Sequence, residues 1–228
     1  MKKTNSAGQE SFNGGFHVET NPIAFEHKIY ITDTLVNPTE MINAISVLDT
    51  CSENDVVHVY INTDGGSADS GMMLYNSLQT TKALTIAHCS GTVASAGTMI
   101  MMGCDQIKLA RNTGLMFHSV SSGYVGKAHE VKDYSDHLVA YNDSVCRSIY
   151  GELFTDEEYD KILSGKDHWM TETEFLKRYA KANPSEEELA NIFDENVTEA
   201  TLKKLSKEML IKIILGEVGY NVDTGKFE

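Results

Sequence analysis

The chain predicts an α/β fold built from parallel βαβ units. Three observations carry that expectation. Short runs rich in β-branched residues alternate with helix-length amphipathic stretches between His27 and His118. Capping or glycine signals separate several of them. At 228 residues, 41% hydrophobic and 23% charged, the chain is long enough for one large core, or one core plus an appendage.

The elements follow in order. Residues 1–22 are polar and Gly/Asn-rich and read as a mobile N-terminal arm. His27–Thr32 is a short strand. Asn37-Pro38-Thr39-Glu40 opens a helix, with Asn at N-cap, Pro at N1 and Glu at N3, and Met41, Ala44, Ile45 and Leu48 form its apolar face. Val56–Asn62 is a buried strand that leads through a glycine turn into a helix over Ala68–Thr80. Strands at Leu84–His88, Gln106–Ala110 and Leu115–His118 flank a helix over Ala94–Gly103.

From Ala128 to Tyr150 the spacing predicts one long helix. Val131, Tyr134, Leu138, Tyr141, Val145 and Ile149 recur every three or four residues, a stripe for the core or for another subunit. Thr155-Asp-Glu-Glu158 and Thr171-Glu-Thr-Glu174 are capping boxes that open short helices. Asn183-Pro184-Ser185-Glu186 opens another, Leu202, Leu205, Met209, Ile213 and Ile214 mark a final amphipathic helix, and Gly219–Glu228 reads as frayed.

A formal charge of −14, with no Lys/Arg cluster, argues against nucleic-acid binding, which needs local cations to displace counterions. Cys51, Cys89, Cys104 and Cys146 form no CxxC and lie in core-like segments, so reduced buried thiols are expected rather than disulfides or a zinc site. The Met-Lys-Lys start has no apolar run behind it, and no stretch approaches membrane-spanning length; a cytoplasmic protein is expected.

Three segments carry chemistry, and a fourth can supply an acid. In Gly91-Thr-Val-Ala-Ser-Ala-Gly97, Ser95 stands at the mouth of a helix among small residues. Free N–H groups and the helix dipole there favour developing negative charge, although a serine in that place is more commonly an N-cap. Val93 occupies the first glycine position of a G-x-S-x-G elbow, so that motif is absent. In Ile61-Asn-Thr-Asp-Gly-Gly-Ser67, two glycines after a strand permit positive φ and an exposed amide for an oxyanion; a plain β-to-α turn is the commoner use. His118 ends a strand, where α/β proteins place their sites, and an imidazole there can relay a hydroxyl proton. Asp167 can orient that imidazole, but spacing alone does not select it over Asp160 or Glu172.

Together these segments resemble the Clp protease proteolytic subunit family. The family's I-N-S-P-G-G-S matches Ile61–Ser67, its A-A-S-M-G matches Val93–Gly97, its M-I-H-Q-P matches Met116–Val120, a following glycine stretch matches Gly123-Tyr-Val-Gly126, and R-D-x-F-[LM]-[ST] matches Lys166–Thr171. Five segments match in order over roughly residues 24–175. The resemblance implies a crotonase/ClpP-like ββα spiral with a long handle helix, a peptidase domain over residues 23–178, and a helical C-terminal extension over 179–228. It implies Ser95 as nucleophile, His118 as base, Asp167 as orienting acid, and the amides of Gly65 and Ala96 as oxyanion hole. Gly66, Ser119, Val120, Gly123 and Tyr124 are the implied substrate contacts, with residues 119–126 as a strand that pairs with substrate backbone. It further implies two stacked heptameric rings docked through the long helix, polypeptide substrates, an ATP-driven AAA+ unfoldase and no cofactor.

The chain departs from the family pattern in several places, among them the absence of the proline after the base region and an N-terminal arm without a clear match to the family's axial loop. Asp64 replaces a proline beside the oxyanion hole, where a carboxylate opposes acylation. Lys166 replaces an arginine and loses its bidentate fork. Some fifty acidic, helical residues follow Glu174 where the family ends differently. These are compatible with a specialised, phage-encoded member, with a catalytically impaired ring subunit, or with a capsid-maturation protease. A crotonase-type acyl-CoA enzyme is disfavoured because that chemistry does not require the full Ser, His and Asp set.

Overall fold

In the computed structural model, the residues described are 24–183, 220–221 and 226–227. The expected N-terminal arm and the helices expected after Asn183 and around Leu202–Ile214 lie outside them. Strands β1 (Glu26–Ile31), β2 (Val56–Thr63) and β3 (Leu84–Ala94) run parallel. β3 then pairs in parallel with β4 (Gln106–Leu109) along its first half and with β5 (Gly114–Phe117) along its second. β6 (His168–Thr171) closes the sheet antiparallel to β5.

Helices join these strands: α1 (Ile42–Thr50), α2 (Ala68–Thr80), α3 (Ala96–Met102), α4 (Ala128–Tyr150), α5 (Asp156–Leu163) and α6 (Glu172–Ala182). The alternation expected from sequence is present as a mixed α/β sheet with helices. The expected boundary at residue 178 falls inside α6.

Local chemistry accounts for the element ends. Asn37 accepts from the Thr39 amide at 3.0 Å and opens a 3-10 turn over Pro38–Met41 that leads into α1. The Thr155–Glu158 capping box is complete: Glu158 N donates to Thr155 Oγ1 and Thr155 N to Glu158 Oε2. The box at Thr171 is half formed. Glu174 N donates to Thr171 Oγ1 at 3.2 Å, but the Glu174 carboxylate turns to Arg178 at 2.7 Å, because a guanidinium offers a stronger partner than an exposed amide.

On β2, Val57, Val59 and Ile61 are buried in the core with Leu74, Ile100, Leu115 and Phe117. Each such side chain contributes roughly 1.5–3 kcal/mol by leaving water. The strand expected to be buried is thus buried on one face only. Its other face carries a stack of Tyr30, Tyr60 and His88, with His58 Nδ1 2.8 Å from His88 Nε2. All four cysteines are free and buried, and burial pushes the Cys89 thiol up to about 12 and Cys146 up to about 11, as inert core thiols require.

Four local expectations are corrected. β3 extends to Ala94 rather than ending at His88, because the polar Ser90-Gly91-Thr92 stretch carries the strand from its β4 partner to its β5 partner. α3 accordingly starts at Ala96. β6 was not foreseen, since four residues directly before a capping box are too short for a period-2 pattern. In the tail expected to be frayed, β7 (Tyr220–Asn221) pairs antiparallel with β8 (Lys226–Phe227).

Candidate active site

The turn after β2 is shaped by close backbone approach. Leu35 N donates to Gly65 O and Ser67 N donates to Leu35 O, both at 2.7 Å, which lays Gly66 against Leu35. Gly65 and Gly66 sit at φ 94° and 130°, and a Cβ on Gly66 would lie 2.2 Å from Leu35 O. Only glycine fits.

Ser95 is the pivot between β3 and α3. Its φ of 54° and ψ of −123° are strained for a residue with a side chain, at a cost of about 1–3 kcal/mol. Hydrogen bonds hold it there. Ser95 N donates to Met116 O at 2.8 Å, and Ser95 O accepts from Thr98 N at 2.9 Å and Thr98 Oγ1 at 2.7 Å. The sharp strand–turn–helix of a nucleophile elbow therefore forms without its sequence motif. Val93, where the motif has glycine, is fully buried, and the close approach to α3 is made by Gly71, whose added Cβ would meet Ala96 Cβ at 2.9 Å.

His118 directly follows β5. Its Nε2 lies 2.7 Å from Ser95 Oγ and its Nδ1 lies 3.3 Å from Asp167 Oδ1. One neutral tautomer serves both contacts: Nδ1–H donates to the carboxylate, and Nε2 accepts the serine proton. The sheet register selects the acid. Gly114 pairs with Thr171 and Phe117 with His168, so one further rung sets His118 opposite Asp167. Asp160 lies on α5 and Glu172 on α6, off that register. The Asp167 side chain is 54% exposed.

Ser95, His118, Gly66, Ala96 and Asp64 line one cavity of about 310 Å³. An adjoining one of about 240 Å³ shares Met99, Val120, Ser121 and Val145 with it. The expected pair of oxyanion amides requires correction. Gly65 N donates to Thr63 Oγ1 at 3.0 Å and is occupied. Gly66 lines the cavity instead, one residue on; either glycine fits a sequence pattern, and only the Thr63 hydroxyl decides between them. Ala96, the first residue of α3, also lines it.

Residues 119–126 have no strand partner among the described residues and form no ladder there. α4 pins the segment instead. Val120 N donates to Asn142 Oδ1 at 3.3 Å and Asn142 Nδ2 to Ser119 Oγ at 3.0 Å. Ser122 Oγ is 2.7 Å from Tyr134 OH, and Tyr124 stacks on the Tyr134 ring at 4.6 Å. Gly123 stands in open space. Sequence reasoning missed Asn142, Thr98 and Tyr150. Asn142 had a signal: it is a buried amide on α4 between the apolar positions Leu138 and Val145.

Among the described residues, one group has metal-ligand chemistry: atoms of His27, Cys51 and Asp55 lie within 4.8 Å of one another. They sit at the start of β2, at the other end of the strand from Ser95. Asp55 already accepts from Ser52 N, Ser52 Oγ and Phe25 N, which hold its carboxyl below the usual range, so its structural role is filled. No described helix is long and apolar enough to cross a membrane.

An α/β protein that seats serine, histidine and aspartate at the carboxyl edge of a parallel sheet has the side-chain set of the acyl-transferring serine hydrolases. The chain belongs to the Clp protease family, whose model matches residues 21–179. It is 28% identical over 147 residues to an ATP-dependent Clp protease proteolytic subunit of Chlorella vulgaris, covering 60% of this chain and 72% of that one. It is 26% identical over 147 residues to the subunit of the same name from Bdellovibrio bacteriovorus, covering 61% and 68%. The fold is similar to that of a ClpP1 variant from Listeria monocytogenes, with a TM-score of 0.55 and 19% identity over 67% of this chain and 86% of that one.

Proposed function

We propose that the chain is a serine endopeptidase, the proteolytic subunit of a self-compartmentalised barrel that cleaves unfolded polypeptides. The observation that carries this is the contact of His118 with both Ser95, at 2.7 Å, and Asp167, at 3.3 Å, on one cavity wall. Ser95 Oγ attacks the peptide carbonyl carbon while its proton passes to His118 Nε2. The oxyanion is received by the amides of Gly66 and Ala96. His118 then returns the proton to the leaving amine as the C–N bond breaks, leaving an ester on Ser95. Water, deprotonated by His118, cleaves that ester and restores the hydroxyl. Asp167 holds the imidazole tautomer and stabilises the imidazolium in both halves. No step calls for a cofactor.

Substrate lies extended between the Gly66–Ala68 turn and the Ser119–Gly123 segment, with Tyr124 at its edge. Met99, Val145 and Ile149 offer an apolar recess for the side chain next to the cleaved bond. Two stacked heptameric rings and an ATP-driven unfoldase complete the assembly, by likeness to the Clp subunits. The first three turns of the α4 stripe support this: Val131 and Tyr141 stay exposed while Ile149 is buried, so only the end of the stripe serves this subunit's own core. Four free buried cysteines suit a cytoplasmic setting.

The test is labelling of the assembled protein with a fluorophosphonate and cleavage of a fluorogenic peptide. Both are expected, and both are expected to vanish in Ser95→Ala. A wild type that takes no label supports instead a ring subunit without activity, the reading that Asp64 on the cavity wall favours.

A further inference from the structure

The strained conformation of Ser95 has a support outside the triad. Thr98 is fully buried, one turn into α3, and its hydroxyl has two neighbours: Ser95 O at 2.7 Å and Tyr150 OH at 2.8 Å. A carbonyl oxygen only accepts, so the single Thr98 hydroxyl proton goes to Ser95 O. Tyr150 must then be the donor in the second contact. The order Tyr150 O–H to Thr98 O–H to O=C of Ser95 is the one arrangement that makes both contacts hydrogen bonds, and it adds to the bond that Ser95 O already accepts from Thr98 N. Tyr150 is buried, and burial pushes its phenol above its ordinary range, which keeps the proton on the ring oxygen that has to donate it.

Tyr150 also touches the other side of the site. Its ring meets Phe117 edge-on, with centroids 5.2 Å apart and planes at 89°. Phe117 is the last residue of β5 and directly precedes His118. One side chain at the end of α4 therefore bears on the backbone of Ser95 through its hydroxyl and on the strand that carries His118 through its ring. Ser95 Oγ reaches His118 Nε2 at 2.7 Å only while both backbones keep these places.

We propose that Thr98 and Tyr150 are positioning residues for the nucleophile: a buried hydroxyl chain from the end of α4 anchors the Ser95 carbonyl, holds Ser95 at positive φ and keeps its Oγ in line with His118. The inference rests on the reading of Ser95 as nucleophile. It makes the seating of α4 a condition of activity, although neither hydroxyl touches the reacting atoms.

The experiment uses the full-length assembled protein. Thr98→Val keeps the shape and removes the hydroxyl, Thr98→Ser keeps the hydroxyl, and Tyr150→Phe keeps the ring. For Thr98→Val, the fluorophosphonate labelling rate and kcat should fall about five- to thirtyfold, the range set by losing one buried hydrogen bond, with KM within about twofold. Thr98→Ser should stay within about twofold of wild type, and Tyr150→Phe should lie between the two. The double variant Thr98→Val/Tyr150→Phe should be no slower than Thr98→Val, because Tyr150 acts through Thr98.

Full activity in Thr98→Val, a loss in Thr98→Ser equal to that in Thr98→Val, or additive losses in the double variant would each overturn the proposal. Crystal structures supply a readout free of turnover: the Ser95 Oγ–His118 Nε2 separation should lengthen beyond hydrogen-bond reach, about 3.5 Å, in Thr98→Val. If wild type takes no label, the peptidase reading fails by itself, and the measured separation still decides for or against the hydroxyl chain.

Discussion

Replacing Asp167 by asparagine tests the proposed relay where its geometry is weakest. The carboxylate lies 3.3 Å from His118 Nδ1 and is 54% exposed, while the imidazole is 28% exposed. Between unit charges at that distance, Coulomb's law gives roughly 1.3 kcal/mol in bulk water and roughly 5 kcal/mol at the dielectric typical of a protein surface. A half-solvated carboxylate falls between these limits, near about 2–3 kcal/mol of imidazolium stabilisation. Asp167→Asn should therefore lower kcat/KM about 30- to 150-fold, well short of the ~10⁴-fold loss seen for a buried triad acid. The assay is steady-state cleavage of a fluorogenic peptide, with Asp160→Asn and Glu172→Gln as comparators expected to match wild type. The reasoning fails if Asp167→Asn stays within twofold of wild type, or if either comparator falls as far.

Three further outcomes follow from the same geometry. Arg178 lies 2.9 Å from both Glu158 oxygens and holds that carboxyl down to about 2. Its contribution, about 1–2 kcal/mol after allowance for solvent, is present above the ordinary glutamate range and lost as pH falls through about 2, so urea unfolding should show Glu158→Gln destabilised at pH 7, with the gap narrowing below the ordinary glutamate range and closing only as pH falls through about 2. Asp64 lines the cavity beside Gly66 and opposes an oxyanion, so Asp64→Asn should raise the acylation rate about two- to fivefold in single-turnover labelling; an unchanged rate would clear that carboxylate of any braking role. Gly66→Ala would drive a Cβ to 2.2 Å from Leu35 O at a φ of 130°, and thermal unfolding should reveal a loss above about 3 kcal/mol or no folded protein.

Much of the fold was legible because its signals are local. Asn37-Pro38, Thr155 with Glu158, and the run of β-branched residues over Val56–Ile61 each follow from a few neighbouring residues. Ser95 and His118 were legible from the family segments, and from their places at a helix mouth and at a strand end. Asp167 was not separable from Asp160 or Glu172 on spacing, because its role depends on β6 pairing with β5, a contact between segments some fifty residues apart in the chain. Gly65 and Gly66 were indistinguishable for a related reason. The Thr63 side chain that occupies one amide is itself turned by a hydrogen bond to Asp33 O. Thr98 and Tyr150 gave no signal at all, since a threonine in a helix and a tyrosine at a helix end are unremarkable until folding brings them to 2.8 Å.

The site exists because β3 changes partners. Along Ile86–Cys89 it is flanked by β2 and β4, and along Thr92–Ala94 by β2 and β5. The register between β2 and β3 slips between Ile61 and Thr63 at the same level. A sheet whose neighbours change at one height leaves its strand ends without a common edge, and α/β proteins place their ligands in such crevices. Here the ends of β2, β3 and β5 deliver Gly66, Ser95 and His118 to one cavity. β6 then supplies Asp167 by continuing an antiparallel ladder one rung beyond its last pair. Each component comes from a different strand end, so no single element can be refined without moving its distance to the others. That arrangement explains why the strain at Ser95 is held from two sides, by a bond to Met116 on β5 and by the local bonds from Thr98 on α3.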